Sequence, residues 1–171
     1  TQLSAVRAAR NWGIGDFTDL TRLVEVWAGL GAGVVDVGPL HAPFSEDAER
    51  LDPHAPSSRL FLNTLHLDVE AVPDFAECLP AIALVRSPDF QAKLRALRAA
   101  DQIDFGEVAA AKRQELDLVY RGFREQHLAG DTYRGNAFRA YQAELGEALL
   151  RQAVFEALTE HPQSKDPDAT I

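Results

Sequence analysis

The feature that most constrains the fold is an amphipathic segment set between two groups of glycines. Its apolar residues recur at intervals of three and four positions, which is the spacing of one face of a helix. They are Phe17, Leu20, Leu23, Val24, Trp27 and Leu30. Asp16 stands at the N-cap position, where a carboxylate can accept hydrogen bonds from the free amides of the first turn. The pattern predicts a helix from Asp16 to Leu30.

Extended segments are predicted on both sides of this helix. Residues 2–6 alternate loosely between polar and apolar side chains, and residues 34–37 (Val-Val-Asp-Val) follow a glycine-rich turn that ends the helix. Strand, helix and strand in this order form a βαβ unit, whose strands are parallel and whose crossover is right-handed. Because two parallel strands leave both outer edges unpaired, further strands are needed to complete the sheet. The fold class is therefore α/β.

A long loop follows the second predicted strand. Residues 38–63 hold four prolines and lack a regular hydrophobic period, and a loop of this length in a compact domain is usually functional or disordered. Residues 65–72 are apolar at alternate positions, which predicts a short strand.

Beyond Pro73 the sequence is helical. Stripes of aromatic and aliphatic residues, typical of helix–helix packing, predict helices at about residues 87–101, 104–128 and 136–161. The last ten residues are polar and are expected to be frayed. We therefore divide the chain into three parts: residues 1–72 with the first strands, the helix and the loop, a helical subdomain at 73–161, and the tail at 162–171.

The composition excludes several classes of partner. The chain has 171 residues and a formal net charge of −9, and such a surface repels the phosphates of nucleic acids and anionic membranes. No apolar run reaches the roughly 18 residues that a membrane-spanning helix needs. Cys78 is the single cysteine, which excludes an intrachain disulfide and suits a reducing, cytoplasmic setting. The sequence leaves the oligomeric state open.

The glycines at positions 13 and 15 do not make a phosphate site. A dinucleotide fingerprint needs a third glycine at position 18, where the chain has Thr18, and the sequence contains no Gly-Lys-Ser/Thr phosphate loop. The glycines are instead expected to give the backbone the freedom to bend and to pass close to a bulky neighbouring group. Trp12 beside them has two interpretations. It is either an indole exposed at a strand end, where a sugar ring can stack, or an ordinary core residue.

Polar side chains concentrate on the proline-stiffened loop. They are His41, His54, Ser57, Ser58, Arg59 and Asn63. Such a loop suits a polyhydroxylated ligand, because a stiff loop loses little entropy on binding. Alternatively, its serine, arginine and asparagine side chains hold the loop together by hydrogen bonds to backbone groups. The histidines, with His66, include no closely spaced pair of metal ligands, so no metal is expected.

Three sequence motifs occur together and in order: ARNWGIGDFTDL, VGPLHAPF and DPHAPSSRLFLNTLHLDVEAVPDF. Together with GEALLRQAVFEAL near the end of the chain, they resemble the 4-α-glucanotransferases (amylomaltases, or disproportionating enzymes) of glycoside hydrolase family seventy-seven. The resemblance covers nearly the whole chain. It implies a (β/α)8 TIM barrel, of which this chain forms the first part, interrupted by a mostly α-helical inserted subdomain.

The chain departs from the family pattern at three positions. By resemblance, His54 stands where the family has a tyrosine close to the reacting sugar, Gly38 replaces an asparagine, and His66 replaces a tyrosine. A histidine still offers a ring and a hydrogen-bond donor. Whether the changes alter the donor site and the activity is left open by the sequence.

The resemblance implies transfer of a segment of one α-1,4-glucan to the 4-hydroxyl of another, with retention and without a cofactor. Retention requires two carboxyl groups about 5 Å apart. In the family these lie on later barrel strands, so no residue here is assigned a catalytic role and the chain alone is expected to be inactive. The residues expected to line the sugar cleft are Trp12, His41, His54, Ser57, Ser58, Arg59 and Asn63. The alternative is a non-catalytic module for glucan binding or helical interaction.

Overall fold

The computed structural model describes residues 1–44 and 56–160, and helices dominate this part of the chain. The helices are α1 (Phe17–Gly29), α2 (Leu79–Arg86), α3 (Pro88–Ala99), α4 (Phe105–Phe123) and α5 (Tyr133–Glu160). A π-helical turn, Arg124–Leu128, follows α4. Short 3-10 turns lie at Leu3–Ala5, Thr64–His66, Val69–Ala71 and Pro73–Glu77. Within the described residues, no helix is long and apolar enough to cross a membrane.

The helix predicted to begin after Asp16 is confirmed as α1. The Asp16 side chain accepts a hydrogen bond from Asp19 N at 2.9 Å, and the Asp19 carboxylate accepts one from Asp16 N at 3.2 Å. This reciprocal pair is a capping box, here built from two aspartates. The predicted apolar face of α1 is covered only near its start, since Trp27 is 37% and Leu30 80% exposed.

The three helices predicted in the second half are also confirmed. Helix α3 begins where Ser87 Oγ accepts from Phe90 N at 3.3 Å, and α4 begins where Asp104 accepts from Glu107 N at 2.9 Å. Helix α5 starts three residues earlier than the predicted Asn136. Its geometry is interrupted at Gly146, where φ is 49° and ψ is −125°, a conformation open to glycine because it has no Cβ.

Neither predicted strand of the βαβ unit forms. Residues 2–6 contain the turn Leu3–Ala5, and residues 34–37 have no regular structure. The two segments still lie side by side: the Thr1 ammonium donates to Asp36 O and Gly38 N donates to Thr1 O, both at 2.8 Å. Thr1 thus bonds through its nitrogen to Asp36 and through its carbonyl to Gly38, the two residues on either side of Val37. This is the hydrogen-bond pattern of two parallel strands. The pairing stops after Thr1, because the 3-10 turn takes the chain out of the extended conformation.

The strand predicted at residues 65–72 is wrong as well. The segment forms the turns Thr64–His66 and Val69–Ala71. Two of its carbonyl groups are bound by a side chain, because Lys112 Nζ donates to Leu65 O and to Leu67 O, each at 2.6 Å. Backbone groups that a buried side chain already satisfies need no neighbouring strand.

The polar loop is closed by a small antiparallel hairpin. Strand β1 (His41–Ala42) pairs with β2 (Ser58–Leu62), with His41 opposite Leu62 and Ala42 opposite Ser58. The register is irregular between the two residues of β1, which is typical of a bulge. The predicted site residue His54 lies outside the described residues.

The core is shared by the early turns and the later helices. Trp12 and Ile14 pack in one buried cluster with Leu94 of α3 and Val108 of α4, all four at most 4% exposed. Cys78 belongs to the same cluster at 5% exposure, packed as a small apolar residue. The division of the chain at residue 72 stays a prediction. This cluster contains residues from both sides of that boundary.

Glu115 on α4 is a buried carboxyl group. The residue is 0% exposed, and neither carboxylate oxygen has a hydrogen-bond partner within the described residues. Burial raises the pKa of Glu115 to about 7, and the negative charge of Glu70 acts in the same direction. The folded state is therefore most stable when Glu115 carries its proton.

We expect Glu115→Gln to remove a pH dependence of stability. Because the pKa of Glu115 is about 7 in the folded state and ordinarily 4.5, its contribution is full below pH 4.5 and is lost as the pH rises through 7. The variant cannot ionise, so its free energy of unfolding should exceed that of wild type by about 2 kcal/mol at pH 8 and by little at pH 4. Urea unfolding at both pH values measures the difference.

Glu144→Gln is the matched control, since Glu144 is an exposed residue of α5. It should change the free energy of unfolding by less than about 0.5 kcal/mol at either pH. A Glu115→Gln effect of the same size at pH 4 and pH 8 would contradict the explanation, because it would not arise from ionisation.

Candidate functional site

Two of the predicted site residues, His41 and Asn63, line a common cavity of about 180 Å³ beside the hairpin. Its apolar wall is formed by Leu3, Ile14, Gly38, Pro39, Leu40, Pro43 and Phe105. Its polar lining consists of Gln2, Ser4, His41, Asn63 and His66. Asn63 N donates to Leu40 O at 2.9 Å. This hydrogen bond joins the residue before β1 to the residue after β2, at the edge of the hairpin where His41 and Asn63 line the cavity.

His66 is a candidate residue that the predicted set omitted. It is 4% exposed, and its Nδ1 lies 2.8 Å from Gly15 O. Since a carbonyl can only accept, Nδ1 must carry the proton, and Nε2 is left with a lone pair. Burial lowers the pKa of His66, and the positive charge of Lys112 also lowers it, so the ring is neutral at pH 7. The one signal in the sequence was the histidine in place of a tyrosine.

The serine and asparagine side chains form hydrogen bonds with backbone groups of the hairpin and of the residues next to it. Ser57 Oγ lies 3.1 Å from Ala42 O and 2.8 Å from Pro43 O, so its single O–H is shared between these two carbonyls. Ser58 Oγ and Asn63 Oδ1 each accept from the backbone amide two residues further on, at 3.2 and 2.9 Å. These contacts favour the alternative interpretation of the loop, in which polar side chains bind its backbone.

Arg59 is not one of the residues that line the cavity. It is exposed on β2, where the next three residues, Leu60 to Leu62, line a groove of about 650 Å³ between β2 and α5. The groove is lined mainly by apolar residues, among them Leu60, Leu62 and Tyr141, which are 80%, 58% and 45% exposed. The structure therefore does not bring Arg59 together with His41 and Asn63 in one cavity.

The expected exposure of Trp12 is wrong. Trp12 is 4% exposed, and its ring packs edge-on against Phe90 with 5.2 Å between the ring centroids. Its Nε1 donates to Glu70 Oε1 at 3.2 Å. The alternative interpretation as a core residue holds, because α3, about eighty residues further along the chain, covers the indole. Spacing around Trp12 could not reveal a contact at that separation.

A buried ionic cluster lies beside the glycines and was not predicted. Arg10 binds three carboxylates, those of Asp16, Asp19 at 2.9 Å and Asp68 at 2.6 Å, whose side chains are 3%, 3% and 12% exposed. Although burial opposes this, hydrogen bonds from Asn11 and Arg10 lower the pKa of Asp19. Within the described part of the chain, no group of His, Cys, Asp or Glu side chains is arranged to hold a metal ion.

The comparisons with known proteins agree with the motifs. The model of the 4-alpha-glucanotransferase family, glycoside hydrolase family 77, matches residues 1–169. A 4-alpha-glucanotransferase of Haemophilus influenzae is 36% identical over 99% of the chain, and one of Mycobacterium tuberculosis is 39% identical over 93%. The chain spans 25% and 22% of the lengths of these relatives.

A solved structure extends the likeness to three dimensions. The crystal structure of amylomaltase from Corynebacterium glutamicum matches 99% of this chain and 23% of its own, with a TM-score of 0.78 and 26% identity. This likeness supports the TIM-barrel class, although the strands among the described residues are limited to β1 and β2. Motifs, family model and structural likeness point to one family. The chain belongs to the 4-alpha-glucanotransferase family, glycoside hydrolase family 77.

Proposed function

We propose that the natural protein containing this sequence is a 4-α-glucanotransferase that transfers segments between α-1,4-glucans with retention. The observation that carries the proposal is the family match over residues 1–169, nearly the entire chain. The proposed substrates are α-1,4-glucans, in line with the relatives' name, and among them maltooligosaccharides. No cofactor is needed for such a reaction, because a retaining transfer uses two carboxyl groups of the protein.

Within that enzyme, we assign this span to the first part of the barrel and to one wall of the sugar cleft. The parallel hydrogen-bond pair around Val37 supports a first barrel contact between the segments at 1–6 and 34–38. The polar cavity beside the hairpin supports the wall, since it gathers His41 and Asn63. His54, Ser57, Ser58 and Arg59 remain proposed contacts on the same loop.

The span does not supply the nucleophile in this proposal. A nucleophilic carboxylate has to reach the sugar, whereas Asp16, Asp19 and Asp68 are each bound to Arg10. Glu115 is fully buried. By the resemblance to the family, the paired carboxylates of the retaining mechanism lie on later barrel strands, so we place them outside this span.

Incubation with maltotriose tests both parts of the proposal. Maltosyl transfer from one maltotriose to the 4-hydroxyl of another leaves glucose and maltopentaose, so the natural gene product should release glucose and form longer chains. The 171-residue chain alone should leave maltotriose unchanged over the same period. Glucose assay and chromatography of the products measure the two outcomes.

Each opposite result has a distinct meaning. Glucose release by the 171-residue chain would contradict the placement of the carboxylates outside it. A natural product that binds maltotriose in calorimetry without turning it over would overturn the transferase proposal and support a non-catalytic glucan-binding module.

A further inference from the structure

We propose that the cavity lined by Asn63 and His66 is a subsite for one hydroxyl-bearing group of a neutral sugar, with His66 Nε2 accepting a hydrogen bond from the ligand. The proposal rests on the proposed function for the identity of the sugar, an α-1,4-glucan. His66 becomes a specificity-determining residue in it, although its side chain was absent from the predicted contacts.

The orientation of the His66 ring provides the acceptor. Nδ1 is tied to Gly15 O at 2.8 Å, and Nε2 has no hydrogen bond within the described residues. The ring belongs to the lining of the cavity, and the residue is 4% exposed. The fully buried side-chain atoms that lack a partner in the described part are Arg10 Nε and the two Glu115 oxygens, so Nε2 of His66 retains accessible surface and a donor that enters the cavity can reach it.

Asn63 adds the complementary donor. Its Oδ1 accepts from Leu65 N at 2.9 Å, which leaves the amide Nδ2 with two hydrogens to give. A hydroxyl both donates and accepts, so the hydroxyls of one sugar can donate to His66 Nε2 and accept from Asn63 Nδ2. An ionised carboxylate could not donate to Nε2.

The charge and the size of the cavity further limit the kinds of ligand that it can bind. No Lys, Arg, Asp or Glu is among the described residues that line it, so neither a cation nor an anion meets an opposite charge there. Its volume of about 180 Å³ is below the roughly 300–1,000 Å³ of sites for whole drug-sized ligands. It therefore takes one group of a longer ligand, and Pro39 and Phe105 offer apolar surface to the C–H groups.

Nitrogen NMR of the natural gene product tests the subsite, with histidine labelled with ¹⁵N and maltotriose added until transfer has reached equilibrium. The His66 Nε2 resonance should shift in a saturable way, because a hydrogen bond to its lone pair changes its shielding. His127, whose Nδ1 lies 3.1 Å from Thr132 Oγ1 and away from the cavity, is the internal control and should not shift. Glycerol at the same concentration of hydroxyl groups is the second control, and it should not cause an equal shift of the His66 Nε2 resonance.

A kinetic measurement on His66→Phe accompanies the spectra. Phenylalanine keeps a ring of similar shape but lacks the acceptor, so KM for maltotriose should rise about threefold to tenfold. The change in kcat should be less than about twofold, because the contact is made in substrate and transition state alike. If the variant does not fold, the spectra of the wild-type protein still decide the question.

The outcomes separate this inference from the proposed function. An active protein whose His66 Nε2 does not shift, or shifts equally with glycerol, overturns the subsite and leaves the transferase in place. A saturable shift with maltotriose in a protein that releases no glucose keeps the subsite and overturns the transferase. A decrease in kcat with unchanged KM in His66→Phe also overturns the subsite.

Discussion

Replacing Arg10 by methionine should lower the free energy of unfolding by about 3 kcal/mol at pH 7. The variant leaves three carboxylates, those of Asp16, Asp19 and Asp68, without the guanidinium that binds them. Two of them are 3% exposed, so water cannot replace the lost hydrogen bonds. Chemical unfolding in urea, followed by helix circular dichroism, measures the loss.

Arg22→Met is the matched control, because Arg22 is exposed on α1. It should change the free energy of unfolding by less than about 0.5 kcal/mol. An equal loss in both variants would show that helix α1 responds to the loss of any positive charge rather than to the cluster.

The pH dependence gives a second check on Arg10→Met. The pKa of Asp19 is lowered from its ordinary 3.8 in the folded state, so its stabilising contribution is present above pH 3.8 and is lost as the pH falls through the folded value. Since the variant lacks the guanidinium, its deficit should shrink in acid. A deficit of full size at pH 2.5 would mean that lost packing of the Arg10 stem, and not the ionic cluster, explains the result.

The helices could be predicted from the sequence because their signals are local. Asp16 and Ser87 stand at helix starts, and periodic apolar residues follow each of them within a few turns. A capping bond or a helical period involves residues at most a few positions apart. The sequence therefore contains all the information about it.

The strands and most of the site depend on contacts between distant residues. The segment at 65–72 alternates like a strand, but its carbonyls are bound by Lys112, about 45 positions away. Arg10 reaches Asp68 across 58 positions, and Trp12 is covered by Phe90. In each case a distant side chain decides the local structure, and the residues around the segment contain no pattern that predicts this contact. The loop residues His41 and Asn63 could be proposed as site residues from the sequence because each belongs to a motif of contiguous residues.

Gly15→Ala should destabilise the fold by about 3 kcal/mol or more, because its Cβ has no room. A Cβ at this position would lie 2.0 Å from Leu3 O and 2.9 Å from Val6 Cβ. The first of these atoms belongs to the backbone and cannot rotate away. The turn Leu3–Ala5 would have to move, and with it the hydrogen bond from Gly15 N to Ser4 O.

Gly29→Ala separates this steric effect from the general response of glycine to substitution. Gly29 ends α1 and a Cβ there meets nothing within 4 Å, so alanine should be neutral or stabilising by about 0.5 kcal/mol. Thermal and urea unfolding of both variants make the comparison. If Gly15→Ala were as stable as Gly29→Ala, the close approach of the first turn to Gly15 would be wrong. That result would also remove the support for a fixed Gly15 carbonyl, which orients the His66 ring in the proposed subsite. The same pair of variants therefore tests this wall of the subsite as well.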